Sequence, residues 1–439
     1  MLSARNILNN KIVFDQYRLI SEVDFEREDT RTQISPGDVL LTIVGTIGRS
    51  AVVPTNIKGF ALQRSVAVIT PTGVLPKYLM YQFQAPFLQR HFEENARGTA
   101  QKGVYLKTLG QTPILVPPLG QQDRIVAEIE KQFSRLDEVV ANLKRVKVNL
   151  KRYKAAVLKA AVEGKLTEEW RKQHPNVEPA SKLLERILAE RRTKWTGRGE
   201  YREPAKPDTI GFPELPNRWL WVRLEQIGLT IGGFTKNPKR AKLKKQLPYL
   251  RVANVYANEL RLDEIQHIGV DDSELEKLLM RAGDLLVVEG NGSKDQIGRL
   301  AIWDGSIDPC VHQNHLIKIR LVNSTMGKWV LFWLLSTAGR HFIELVASST
   351  SGLYTLSVHK VGELPIVVPP LVEQHFIVAE IECRLSVIEE LEAAVEANLT
   401  RADRLRQTIL RSAFAGRLSQ QHEICSMTAG VDANLVRRR

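Results

Sequence analysis

Residues 114–130 read Ile114-Leu-Val-Pro-Pro-Leu-Gly-Gln-Gln-Asp-Arg-Ile-Val-Ala-Glu-Ile-Glu130, and residues 366–382 read Ile366-Val-Val-Pro-Pro-Leu-Val-Glu-Gln-His-Phe-Ile-Val-Ala-Glu-Ile-Glu382. The offset of 252 residues holds without a gap to Gly164-Lys-Leu166 and Gly416-Arg-Leu418, with 20 identities in 53 positions. A match of that length is an internal duplication. Upstream the likeness continues with an offset that wanders between 246 and 251. Gly37-Asp-Val-Leu-Leu41 answers Gly283-Asp-Leu-Leu-Val287, Ile47-Gly-Arg49 answers Ile297-Gly-Arg299, Gln63 answers Gln313, and Arg90-His-Phe92 answers Arg340-His-Phe342. Each copy is therefore a variable block followed by a closely kept one, the pattern of a reader mounted on a frame.

The kept blocks read as long helices. Ile125, Ile129, Leu136, Val140, Leu143, Leu150, Tyr153 and Val157 recur at steps of three, four or seven, as do Ile377, Ile381, Ile388, Leu391, Val395, Leu405 and Ile409. No Pro or Gly interrupts 121–163 or 373–415, so mutual pairing as a coiled coil is expected. About 40 residues make a rod of roughly 60 Å. Two ordinary amphipathic helices in separate cores are the alternative. Pro-Pro at 117–118 and 369–370 breaks the chain before each helix, and Gly164 and Gly416 stand where each should stop.

The variable blocks read as mixed α/β, giving an α+β fold class overall. Asp38–Val44, Val66–Ile69, Asp284–Val288 and His315–Arg320 are strand-like, and Lys77–Phe92 and Gly327–Leu345 are helical. The expected division is 1–118 for the first block, 119–166 for the first long helix, and 167–216 for a linker. The second block takes 217–370, the second long helix 371–418, and a frayed tail 419–439. Nothing in the first copy answers Trp219-Leu-Trp-Val-Arg-Leu224 or the basic run after it, and Asn6 aligns with Asn254. Either the true start lies upstream or the first block is N-terminally incomplete, and an isolated 1–120 fragment is expected to fold poorly.

Composition narrows the class. The 439 residues carry 62 Lys+Arg against 49 Asp+Glu, a formal charge of +13, which makes a polyanion the first partner to test. No run of about 18 apolar residues marks a membrane span. Cys310, Cys383 and Cys425 are widely spaced thiols without a CxxC pair, as expected in a reducing cytoplasm rather than in a disulfide framework or thiolate zinc site. There is no Gly-x4-Gly-Lys-Ser/Thr loop, no HExxH and no GxSxG. Gly290-Asn-Gly-Ser-Lys294 lacks phosphate-loop spacing and reads as a tight turn, and His312 with His315 shows no acidic or thiol partner nearby. An Asn-Pro-Pro-aromatic segment, expected where an exocyclic amine is methylated, is also absent. No catalytic residue, metal site or bound cofactor is expected on this chain.

The positive signals point to nucleic acid. Residues 236–245 hold six Lys/Arg, namely Lys236, Lys239, Arg240, Lys242, Lys244 and Lys245. A basic loop of this kind neutralises phosphates and releases counterions, although solvated surface loops have the same composition. Lys144–Lys172 adds ten Lys/Arg against three Glu. Two polar stretches, Asn95–Lys102 and Ser348–Gly352, precede the Pro-Pro pairs. Arg97, Gln101 and Lys102 in the first can address base edges in a major groove, and Ser349, Thr350 and the nearby Tyr354 are the candidates in the second.

With duplicated Pro-Pro-Leu…Gln…Ile-x-x-x-Ile starts to long helices, and a Gly-Asp strand and Ile-Gly-Arg turn in each block, the chain resembles the specificity subunit of a type I restriction-modification system. The resemblance runs over residues 1 to about 420. It implies two target-recognition domains and conserved helices pairing as an antiparallel coiled coil with a pseudo-two-fold internal repeat. It also implies recognition of a bipartite, asymmetric double-stranded DNA site. The implied partners are two modification subunits, which bring S-adenosylmethionine and methylate adenine at N6, and restriction subunits using ATP and Mg. Helix length would fix the spacer between half-sites, about one helical turn (~34 Å) apart. A coiled-coil scaffold that binds proteins without reading bases is the competing expectation.

Overall fold

A computed structural model describes residues 1–417, apart from 57–58, 99–100, 197–198, 295 and 351. The expected frayed tail at 419–439 and Cys425 lie outside the described residues. The chain divides into two compact units. One is Met1–Lys147 with the chain from Ala393 onward, and the other is Val148–Glu392. Each therefore joins one variable block to parts of both long helices.

The long helices are Leu119–Val162 and Leu371–Phe414, each of 44 residues. In the first unit their apolar faces meet the α/β block in one core. Val39, Leu41, Tyr78, Phe83, Leu88 and Phe92 of the block join Val126, Ile129, Phe133 and Leu136 of one helix and Ala402, Ile409, Leu410 and Ala413 of the other. The pairs Asp137–Arg406 and Lys147–Glu396 show that the helices run antiparallel there, since residue numbers rise on one as they fall on the other. Arg406 also lies over the Phe133 ring, 4.4 Å from its centroid. In the second unit Leu150, Val157, Leu158 and Ala161 are buried, as are Ile377, Ile381, Leu385 and Ile388. Gly164 and Gly416 end the helices in the left-handed region (φ 71° and 74°), which only glycine adopts at little cost. At Gly164 a side chain would also strike Pro216, whose Cγ lies 2.6 Å from the Cβ position.

The first unit has an antiparallel sheet ordered Ser50–Val52, Val39–Thr42, Val66–Ile69. The second has the same three strands, Leu300–Ile302, Leu285–Val288 and Leu316–Leu321, plus a fourth, Gly228–Gly232, beside the last. It adds a three-stranded sheet of Gln266–Gly269, Gln246–Leu250 and Val311–His312, and a pair formed by Leu220–Arg223 with Pro365–Val368. Each block then has two short helices, Pro76–Gln84 with Pro86–Asn95 and Gly327–Leu335 with Thr337–Val346. A single helix was expected in each block. Pro86 starts the second helix of the first pair because its ring cannot sit inside a continuing helix. At the matching place Ser336 caps the next helix by accepting from the Gly339 N–H (3.1 Å).

The duplication extends to individual hydrogen bonds. Asn6 Nδ2 donates to the carbonyls of Val13 and Gln16 (both 2.8 Å), and Asn254 Nδ2 donates to those of Arg261 and Glu264 (2.8 and 3.1 Å). Asp38 accepts from the Ser35 N–H, and Asp284 from the Arg281 N–H. Gln122 Nε2 donates to the Pro117 carbonyl, and Gln374 Nε2 to that of Pro369, each at 2.8 Å.

The stretch 167–216, expected to be a linker, carries helices Glu168–Gln173 and Ala180–Thr193. Ala180, Leu183 and Ile187 recur at helical spacing and are buried, and Arg191 donates to the Gly228 carbonyl (2.7 Å). Glu373, 1% exposed in the first turn of the second long helix, gathers this segment. Its carboxylate accepts from Thr167 Oγ1 (2.7 Å), Arg171 Nη1 (2.9 Å) and Trp219 Nε1 (2.8 Å). Three donors and the positive helix end offset the cost of burying that charge.

Candidate nucleic-acid interface

Of the two polar stretches preceding the Pro-Pro pairs, the second carries the β-strand Ser348–Thr350 and the first a single β-bridge from Arg97 to Gly103. In the second unit Ser348–Thr350 pairs with Leu353–Thr355, which also pairs with Gly290–Asn291. The result is a three-stranded ribbon. Tyr354 stands opposite Ser349 on one side and Asn291 on the other. Residues directly opposite each other share a face, so Asn291, Tyr354 and Ser349 form one polar row across the ribbon. Ser349 is exposed and Tyr354 half-buried; Thr350 is on the strand by its backbone, opposite Leu353.

The first unit has isolated β-bridges at the matching places. Arg97 and Gly103 exchange both backbone hydrogen bonds (2.9 Å each), and Gly103 bridges Val44. The Gly45 N–H donates to the Lys102 carbonyl (3.3 Å). Counting from these pairs, Lys102 occupies the position of Tyr354 and Arg97 that of Ser348. Arg97, Gln101 and Lys102 are all exposed. One fold position thus carries a cation in one unit and a phenol in the other.

Asn291 was missed in the sequence because Gly290-Asn-Gly-Ser-Lys294 reads as a tight turn. Two of those residues are a strand. A two-residue strand has no periodicity to detect, so only the hairpin beside it identifies it.

The basic run 236–245 follows the strand Gly228–Gly232 and contains a single 3-10 turn, Arg240–Lys242. Its six cations do not share one role. Arg240 makes a two-pronged contact with Glu274 (2.9 Å each) and lies over the Phe234 ring, 4.4 Å from its centroid. The backbone at Arg240 sits so close to Gly269 that a Cβ there would be 1.9 Å from its carbonyl oxygen. Arg240 is therefore held within the loop by its own neighbours, unlike the lysines beside it. Lys245 pairs with Asp272 at the surface (2.7 Å). Lys236, Lys239, Lys242 and Lys244 are exposed, and among the described residues none has an ion-pair partner. On the 144–172 stretch part of the charge is paired within the chain, as in Lys147–Glu396, Lys159–Glu163, Arg171–Glu373 and Lys172–Glu169.

The two histidines do different things. His312 is fully buried and its Nδ1 donates to the Leu316 carbonyl (3.1 Å). His315 does have an acidic neighbour, Glu289 at 3.1 Å, contrary to the sequence expectation. Strand pairing rather than sequence proximity brings the two together. No group of three or more His, Cys, Asp or Glu among the described residues is placed to hold a metal ion. Likewise, no described helix is long and apolar enough to cross a membrane.

Comparison with known proteins adds the following. A family described as the type I restriction modification DNA specificity domain matches residues 2–148. The specificity subunit of the type I restriction enzyme EcoKI from Escherichia coli (strain K12) is 25% identical over 439 residues, spanning 96% of this chain and 82% of that protein. The StySPI specificity subunit of Salmonella potsdam is 23% identical over 432 residues, with the same two spans. A solved chain from work on complex assembly and conformational transition of the type I R-M system superposes with a TM-score of 0.60 at 20% identity. It covers 88% of this chain and 83% of its own length, which establishes a shared fold.

Proposed function

We infer, from the premise that this chain is a type I restriction-modification specificity subunit, that it reads a two-part DNA sequence and directs methylation and cleavage carried out by partner subunits. The observation that carries the reading is the contrast between frame and ribbon. Asn6/Asn254, Asp38/Asp284 and Gln122/Gln374 repeat their hydrogen bonds in both units. The ribbon of one unit and the matching bridges of the other carry different side chains, Tyr354 against Lys102. Equal scaffolds with unequal tips suit two unequal half-sites.

In this reading Arg97, Gln101 and Lys102 address one half-site, and Asn291, Ser349, Thr350 and Tyr354 the other. Lys236, Lys239, Lys242 and Lys244 contact phosphates without reading sequence. The paired long helices set the spacer between half-sites. Two modification subunits, carrying S-adenosylmethionine, take the target adenine out of the stack into their own pockets. Restriction subunits add the ATP- and Mg-dependent step.

Binding to random duplexes over a salt series tests DNA engagement. A recognition subunit loses affinity steeply as salt rises, whereas a protein-binding scaffold shows no such slope. Mapping methylated adenines in cells with and without the chain tests the rest. A single split motif that vanishes on deletion is expected, and an unchanged methylation map would refute the assignment.

A further inference from the structure

Glu289 and His315 stand at the foot of the second unit's ribbon. His315 precedes the strand Leu316–Leu321, and Glu289 links Leu285–Val288 to Gly290–Asn291. The Glu289 N–H donates to the His315 carbonyl (2.9 Å), and the Glu289 carbonyl accepts from the Leu356 N–H (2.8 Å). Pairing thus continues without a slip from Val288 opposite Leu316 to Glu289 opposite His315, and from Glu289 opposite Leu356 to Asn291 opposite Tyr354. Side chains alternate along extended backbone, so Glu289 shares a face with Asn291, and hence with Tyr354 and Ser349. Two residues of strand span about 7 Å, close to two base steps of ~3.4 Å along a duplex strand.

His315 Nδ1 lies 3.1 Å from Glu289 Oε2. An ionised carboxylate accepts and cannot donate, so Nδ1–H is the donor and the bond fixes the direction of the carboxylate. Among the described residues no other hydrogen bond or ion pair reaches that carboxylate. The Glu289 side chain is 30% exposed and that of His315 58%. Oε1 is therefore left as an oriented acceptor at the surface. Exposed pairs of this kind add little to stability.

The first unit shows that the frame does not need this charge. There the Ile43 N–H donates to the Ser65 carbonyl (2.9 Å), and the Ile43 carbonyl accepts from the Val104 N–H (2.8 Å). Ile43 and Ser65 thus hold the places of Glu289 and His315. Ile43 is buried in the core, and Ser65 Oγ accepts from the Ala4 N–H (3.3 Å). The backbone bonds are kept, and a charged acceptor stands at this place in the second unit alone.

Resting on the DNA-reading function inferred above, we propose that Glu289 is a specificity-determining residue of the second unit. Its Oε1 accepts from the N4 amine of a cytosine in the major groove, about two base pairs from the base addressed by Asn291. His315 is the positioning residue that holds the carboxylate. Cytosine presents only a donor in that groove, whereas adenine sets its N6 donor beside the N7 acceptor, which repels a carboxylate.

The full chain is to be expressed with its modification subunits and the methylated motif mapped for wild type, Glu289→Ala and Glu289→Gln. The wild-type motif should hold a cytosine at one position of one half-site. Glu289→Ala should lower discrimination at that position about tenfold or more, with every other position kept. Glu289→Gln adds a donor and should shift the position toward adenine; it also serves as the second variant if Glu289→Ala melts early. His315→Leu should weaken the cytosine preference, and His315→Gln, which keeps a donor toward Oε2, should restore it. In duplex binding, N4-methylcytosine at that position blocks the groove-side N–H, and should weaken the wild type while leaving Glu289→Ala unaffected. A motif unchanged in both Glu289 variants would overturn the proposal, as would affinity lost equally for all sequences. A wild-type adenine at the position that Glu289→Ala relaxes would overturn the cytosine assignment. A wild-type chain with no sequence preference at all would instead remove the DNA-reading function, and this inference with it.

Discussion

Arg240 and Lys239 are neighbours in the basic loop with opposite surroundings. Arg240 is held by Glu274 and Phe234, while Lys239 is exposed. Arg240→Ala should therefore cost about 1–3 kcal/mol of stability, since a charge-assisted pair and a stacked guanidinium are lost together. Lys239→Ala should leave the melting temperature unchanged and lower the salt slope of DNA binding by about one phosphate contact. Calorimetry and a binding series on both variants separate anchor from contact. His312 gives a second prediction at this scale. Burial first, and the Lys318 charge second, push its pKa down to about 3. The unfolded chain takes up that proton near the ordinary value of 6.5, while the folded chain resists until about 3. The folded state is thus favoured fully above pH 6.5 and progressively less as pH falls toward 3. Melting temperatures measured across this window should fall, and His312→Gln should flatten the dependence; parallel curves for the two proteins would show that other groups govern it.

The long helices are the elements on which the spacing proposal depends. Each continues without a break through Lys147/Val148 or Glu392/Ala393. Inserting four residues near Leu143, with a matching insertion in the partner helix to keep the apolar register, should change the spacer of the methylated motif and leave both half-sites intact. An unchanged spacer would refute the ruler. These helices were legible in the sequence because repeated apolar steps over some 40 residues outweigh local noise. Helix Ala180–Thr193 was equally legible in Ala180, Leu183 and Ile187 but was passed over amid surrounding polar residues. The ribbon was not legible. The strands of the second unit's ribbon are two or three residues long, and Gly290–Asn291 becomes a strand by pairing with Thr355 and Tyr354, far along the chain. The anchoring of Arg240 was hidden for the same reason, because Glu274 and Gly269 come to it from other elements.

At the scale of the whole molecule, the core of the first unit takes Ala402, Ile409, Leu410 and Ala413 from the far end of the chain. A 1–120 fragment lacks these, and also Val126, Ile129, Phe133 and Leu136. It should melt without a cooperative transition by circular dichroism, and a sharp transition would show that the block is self-sufficient. The duplication itself was visible in the sequence down to Asn6 against Asn254, and the structure reproduces that match in hydrogen bonds. The division into two units, each using parts of both helices, was not visible, because the antiparallel pairing joins residues as far apart as 249 and 269 positions. That division has a consequence for biosynthesis. The middle unit is one contiguous stretch and can close while the ribosome is still working. The other unit must wait until Ala402, Ile409, Leu410 and Ala413 have left the exit tunnel, long after its own α/β block has been made. A premature stop codon ahead of codon 402 would therefore damage that earlier-made block while sparing the contiguous one.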